Sequence, residues 1–157
     1  MGIEIDLMAA YPRARRAVDQ RIAERTDEDR RVARLYGREF FDGERRTGYG
    51  GYAYHPRFWR PVVPAFIERY GLAAGSRVLD VGCAKGFLLF ELERAVPGLE
   101  VVGVDVSPYA VAHGKPEIRR RLAVADASAL PFPDDSFDLV VSLTTVHNLE
   151  GEALDRA

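Results

Sequence analysis

The second half of the chain carries its apolar residues in short unbroken runs, Val78-Leu79, Val101-Val102 and Leu139-Val140-Val141 among them, and between the runs the spacing turns helical. Runs of that length bounded by small and polar residues predict strands at 77–81, 100–104, 121–124 and 137–143, with helices at 86–95 and 108–114. Strands joined by helical crossovers predict a parallel, right-handed α/β sheet. The last run is apolar on both faces, the pattern of a strand covered from both sides.

The first half is patterned differently. Pro12 opens a loose helical spacing, Ala14, Ala17, Val18 and Ile22, that reaches about residue 25. Thr26 reads as the N-cap of a second helix because Asp27, Glu28 and Asp29 fill the first turn, where the dipole favours acids, and Gly37 reads as its stop. Gly43, Gly48, Gly50 and Gly51 interrupt any regular element over 38–56, while Phe40, Phe41, Tyr49, Tyr52 and Tyr54 crowd it, so a loop with an aromatic filling is expected. A helix over 57–70 has Trp59, Val62, Val63, Phe66 and Ile67 on one face and Gly71 as its stop. The expected organisation is a helical and aromatic cap region, 1–70, ahead of an α/β domain, 71–157.

With 157 residues, 47% apolar and 29% charged, the chain is of single-domain size and able to bury a core. Its single cysteine, Cys83, cannot form an internal disulfide or a multi-cysteine zinc site, which points to a reducing, cytoplasmic setting. Glu4 and Asp6 stand where a signal peptide needs bases, and no apolar run approaches membrane-span length. The first 70 residues hold 14 arginines against 11 acids and the remainder 8 bases against 13 acids, too even a balance for a nucleic-acid surface.

Candidate chemistry begins where the first strand runs into Asp80-Val81-Gly82-Cys83-Ala84-Lys85-Gly86. Small residues between a strand and a helix let backbone approach a ligand at the carboxyl edge of the sheet. A dinucleotide fingerprint needs a third glycine at position 87, where Phe87 stands. The second strand ends in Asp105-Val106-Ser107, a carboxylate suited to a ribose diol followed by an apolar face for an adenine ring; a nicotinamide enzyme places an acid similarly. Asp126, after the third strand, suits an exocyclic amine. Three strand-end acids form a mouth that repels pyrophosphate and favours a cationic ligand. Simpler roles stand beside these: Gly82 and Gly86 as a tight packed turn, Asp105 and Asp126 as N-caps ahead of Pro108 and Ser128, Cys83 as a packing residue, Lys85 as a solvated first-turn residue, His55 and His113 as surface residues.

In order and spacing, the segments 78–87, 102–107, 126–132 and 137–149 resemble the successive motifs of class I S-adenosylmethionine-dependent methyltransferases. The resemblance implies a Rossmann-like half-sheet of strand order 3-2-1-4 under an N-terminal helical cap, with S-adenosyl-L-methionine as cofactor. It places the methionine moiety along Gly82, Cys83, Ala84 and Gly86, with Asp80 orienting the amino group, ribose on Asp105, and adenine beside Val106 and Asp126, with Ser107 and Ala127 also among the cofactor-binding residues. Ser142, Tyr49 and Tyr52 complete the implied cofactor set. The family usually has glycine where Ala84 stands.

Methyl transfer from a sulfonium is an in-line displacement that needs alignment and exclusion of water, and a base only when the acceptor must lose a proton. His147, just past the fourth strand, is the base candidate; as a pocket wall it would serve equally. The rings of Tyr49, Tyr52 and Tyr54 suit a sulfonium, or a satellite core under the loop. Ser142-Leu143-Thr144-Thr145 lacks the Asp/Asn-Pro-Pro-aromatic run of amino-methylating DNA enzymes, no cysteine lies there for cytosine chemistry, and neither the paired glutamates of protein-arginine enzymes nor the metal-binding Asp of catechol-type enzymes is present. A small-molecule methyl acceptor is left by elimination, with no metal, nucleic acid or membrane. The family carries three further strands, so either a missing C-terminal segment or a homo-oligomer contact is expected to cover 137–143. A catalytically silent cofactor-binding or partner subunit and, further off, an NAD-dependent oxidoreductase are the alternative readings.

Overall fold

The computed structural model of the chain describes residues 4–12, 25–149, 151, 152 and 154. The helix expected over 12–25 and most of the segment after Leu149 lie outside the described residues.

Among the described residues four short helices lead into the sheet: α1 (Asp27–Ala33), α2 (Arg38–Phe41), α3 (Pro56–Trp59) and α4 (Val63–Tyr70). The first begins as expected, with a reciprocal cap in which the Thr26 hydroxyl accepts from the Asp29 amide at 3.1 Å and the Asp29 carboxylate from the Thr26 amide at 3.0 Å. Gly37, expected as its stop, is instead the N-cap of α2, a turn of helix within the segment expected as loop. The single helix expected over 57–70 is two, because prolines at 61 and 64 cannot donate into a continuous ladder and Pro64 sits in the first turn of α4.

The sheet is β1 (Arg77–Val81), β2 (Glu100–Asp105), β3 (Leu122–Val124) and β4 (Leu139–Val141), all parallel, in the order β3-β2-β1-β4. Between β1 and β2 runs α5 (Phe87–Ala95); between β2 and β3 runs α6 (Pro108–Ala112). The order and parallel pairing match those implied by the resemblance. Strand β4 is shorter than the expected 137–143: Asp138 turns its carboxylate back to the Arg77 amide at 2.7 Å, and Thr144 takes φ 56, which ends extended backbone.

Alternation along the strands divides the core in two. Val78, Val101, Leu139 and Val141 pack with Val63 and Phe66 of α4 and with Leu88, Leu89 and Leu92 of α5. Leu79, Val81 and Val104 pack on the other face against Leu130, Phe132 and Phe137. Phe66, Leu89 and Leu92 are almost wholly buried, each contributing about 1.5–3 kcal/mol. Val140, in the edge strand β4, is 56% exposed within this chain, on the segment for which cover by a further segment or a second copy is expected. Among the described residues no helix is long and apolar enough to cross a membrane.

Candidate functional site

The turn from β1 into α5 is built on left-handed backbone. Gly82 (φ 84) and Gly86 (φ 75) adopt it freely, and Ala84 (φ 50) adopts it against the clash of its own Cβ. A side chain at Gly82 would put its Cβ 1.8 Å from Thr145 Oγ1, so glycine is what lets the turn after β4 close onto the turn after β1. At Gly86 a Cβ would press on Ile118 and Leu122 at 3.1 Å, which makes that glycine a packing residue of the helix start. The Cys83 thiol is buried among core residues, where burial first and the Asp80 and Asp105 carboxylates second raise its pKa far above the usual thiol range.

Of the three strand-end acids, Asp105 and Asp126 line one cavity of about 480 Å³. Asp105 accepts the Ala84 amide on one oxygen and the Ser107 amide on the other, both at 2.8 Å, which ties the glycine turn to the end of β2. Asp126 takes the cap role weighed for it, accepting the Ser128 amide and hydroxyl at 2.8 Å. Asp80 stands behind the wall, 5% exposed, with no donor on its carboxyl among the described residues. Burial, and then the charge of Asp105, push its pKa up to about 7.

The cavity brings together Gly82, Ala84, Asp105, Val106, Asp126, Ala127 and Tyr49 of the expected set. It leaves out Asp80, Cys83, Gly86, Ser107, Ser142, Tyr52 and His147, each for a local reason. Ser107 caps α6 through the Ala110 amide at 3.0 Å and donates to the Tyr36 carbonyl, so its hydroxyl is occupied in holding the N-terminal segment over β2. Tyr52 stacks on Phe87 with centroids 5.0 Å apart. Tyr54 packs edge-on against Phe87 and Phe90 and donates to the buried Glu91, so these two rings take the satellite-core role while Tyr49 keeps the cavity wall. The Ser142 hydroxyl is buried without a hydrogen-bond partner among the described residues.

His147 lies in a 3-10 turn, Val146–Asn148, that directs it to solvent. Thr144, Thr145, Asn148 and Leu149 line the cavity, and His147 does not. Asn148 secures the turn by donating to the Thr145 carbonyl at 3.1 Å. Lys85 also departs from expectation: it is buried, its ammonium held by Asp42 and by the Tyr52 carbonyl.

Several wall residues were not singled out by sequence. Arg34, Leu35, Tyr36, Phe40 and Phe41 close the cavity from the N-terminal side, and Leu143 to Thr145 with Asn148 and Leu149 close it from beyond β4. The aromatic crowding at 40–54 was the available signal for the first group; nothing local distinguishes Arg34 from its neighbouring arginines. Among the described residues no group of His, Cys, Asp and Glu could hold a metal ion.

A family profile described as "Methyltransferase domain" matches residues 78–157. A demethylmenaquinone methyltransferase of Thermus thermophilus is 46% identical over 89 residues, covering 54% of this chain and 39% of that protein. The solved structure of the [4+2]-cyclase SpnF aligns with a TM-score of 0.52 and 27% identity, covering 63% of this chain and 39% of that one. A SAM-dependent methyltransferase from Aquifex aeolicus shares the fold, with a TM-score of 0.50, 24% identity and coverage of 60% and 55%. The chain spans about two fifths of the length of the curated relatives it matches first.

Proposed function

Because the chain belongs to the methyltransferase-domain family, we propose that it binds S-adenosyl-L-methionine at the carboxyl edge of its sheet and serves methyl transfer to a small-molecule acceptor. The observation that carries this reading is the acceptor-rich cavity: Asp105 and Asp126 in the wall, and behind it a buried Asp80 carboxyl with no donor of its own among the described residues. That acceptor set suits a ligand with an amino group, hydroxyls and a positive sulfur, and repels the phosphates of a dinucleotide.

In this reading Gly82, Ala84, Asp105, Val106, Asp126, Ala127 and Tyr49 contact the cofactor, and Asp80 answers its ammonium. Cys83, Gly86, Ser107, Ser142 and Tyr52 support the turn and the cavity wall from behind. When bound, the cofactor supplies an activated methyl group on sulfur. The chain's part is to hold the acceptor in line and keep water out, the work of Phe40, Phe41, Tyr49 and Leu149 in the wall.

A second reading, cofactor binding without turnover, draws on one feature: both wall carboxylates are engaged by local donors and His147 faces solvent, so no wall residue among those described stands ready as a base. It predicts affinity without transfer. Calorimetry with S-adenosylmethionine, S-adenosylhomocysteine and NAD decides the cofactor; tight NAD binding with neither sulfur compound bound would overturn both readings. Transfer of a radiolabelled methyl group to a metabolite extract then separates the first from the second.

A further inference from the structure

We infer that Arg34 is the residue through which the cavity reads a carboxylate on its ligand; the inference deepens the methyltransferase reading and takes the adenosyl ligand from it. Arg34 is the C-cap of α1 and part of the cavity wall. The arginines flanking it in the chain are matched: Arg30 with Asp27 at 2.7 Å, Arg31 with Glu28 at 2.6 Å, Arg38 with Glu39 at 2.8 Å. Arg34 has no side-chain hydrogen bond or ion pair among the described residues. Nor is it held by the acids that share its wall. Asp105 is engaged by the Ala84 and Ser107 amides, and Asp126 by Ser128.

An uncompensated guanidinium at the rim of a concave, partly apolar site attracts an anion more strongly than one on open surface, because the walls screen less than water. Its planar fork matches a carboxylate in two parallel hydrogen bonds. Leu35, 67% exposed, and Val106, 54% exposed, stand in the same wall and supply an apolar surround. The chemistry read at this rim is therefore a carboxylate on a largely apolar or planar body. Two ligands can present it: the amino-acid end of the cofactor, or an acid-bearing methyl acceptor.

The test uses the full chain, Arg34→Gln and Arg34→Lys, with two matched pairs of probes in calorimetry. The first pair is S-adenosylhomocysteine and 5′-methylthioadenosine, which lacks the amino-acid end. The second is 3-hydroxy-2-naphthoate and its methyl ester, measured with and without S-adenosylhomocysteine. Arg34→Gln is expected to weaken the acid member of one pair on the order of tenfold while sparing its neutral partner, and Arg34→Lys to recover part of the loss. A loss in the first pair assigns the carboxylate to the cofactor; a loss in the second assigns it to the acceptor. Unchanged affinities, equal losses within each pair, or a wild-type chain that does not prefer the acid in either pair overturn the inference. If the wild type binds no S-adenosylhomocysteine the methyltransferase reading fails, and the naphthoate pair measured alone still decides what Arg34 does.

Discussion

Lys85 Nζ lies 2.8 and 2.7 Å from the two carboxylate oxygens of Asp42, a residue 43 positions earlier in the chain. Asp42 also accepts the Tyr52 amide at 3.0 Å and the Tyr109 hydroxyl at 2.8 Å, and the ammonium's third donor goes to the Tyr52 carbonyl at 2.9 Å. The pair fastens the aromatic segment onto the glycine turn, so the cavity's N-terminal wall is positioned by electrostatics as well as by the packing of Phe41 and Tyr49. Burial works against the Asp42 carboxylate, yet Lys85 and the two further donors hold its pKa below the usual carboxylate range.

Removing one partner of this pair strands the other charge in a poorly solvated place. Asp42→Asn is expected to lower unfolding stability by about 2–4 kcal/mol, and pairing it with Lys85→Met to recover much of that loss, because the double variant leaves no unmatched ion. Urea titration of the two singles and the double measures the coupling. Additive losses would show that the contact contributes nothing.

Ala84 carries a different kind of cost. At φ 50 its Cβ crowds its own carbonyl, a penalty of roughly 1–2 kcal/mol that glycine does not incur. Ala84→Gly is therefore expected to raise stability by up to about 1 kcal/mol after glycine's greater chain entropy is deducted. Gly82→Ala is expected to do the reverse and more, since its Cβ would overlap Thr145. Thermal unfolding of both variants checks the pair, and a stabilised Gly82→Ala would contradict the close packing of the two turns.

The sheet was legible because the strand signal is local. Four apolar runs, separated by two helical connections and one irregular one, predict four parallel strands, and the resemblance supplied their order. Asp105 and Asp126 were legible as strand-end acids for the same reason. Lys85 was not: one residue past Ala84 it reads as solvated, and only the partner 43 positions away, brought near by tertiary packing, makes burial tolerable. Motif spacing located the turn after β4 that carries His147, but not that its ring is exposed while Thr144, Thr145 and Asn148 line the cavity. The split at Pro61 and Pro64 was visible in principle, since each proline removes a donor from the helix expected over 57–70.

Asp80 makes stability depend on pH with a sign that can be worked out. Its folded pKa, pushed up to about 7, exceeds the ordinary carboxylate value it regains on unfolding. Between those values the folded state keeps a proton that the unfolded state has released. Its contribution is thus fully present below about pH 4 and is lost as pH rises through 7. Asp80→Asn is expected to flatten that slope and to exceed wild type at pH 8 by a few kcal/mol, with about 4 as the upper end. Binding of a cationic ligand runs the other way, strengthening as the carboxylate ionises through pH 7. Denaturation at pH 5, 6 and 8, with S-adenosylmethionine titrations alongside, separates the two trends; a wild-type slope retained in Asp80→Asn would assign it to other groups.

The last prediction concerns His147, the one residue that sequence offered as a base. Its ring faces solvent while Thr145 and Asn148 on either side of it reach the cavity. A side chain that takes the acceptor's proton in the transition state accounts for about 10²–10⁴ in rate, and its removal also strips the corresponding limb from the pH profile. A solvent-facing ring accounts for neither. With any acceptor found in the transfer assay, His147→Gln is expected to keep turnover within about threefold of wild type and to leave the profile's shape intact, whereas Asn148→Ala, which frees the Thr145 carbonyl from its donor at 3.1 Å, is expected to raise the acceptor's KM by loosening the wall. A hundredfold loss in His147→Gln would mean that the turn rotates on ligand binding and brings the imidazole inward.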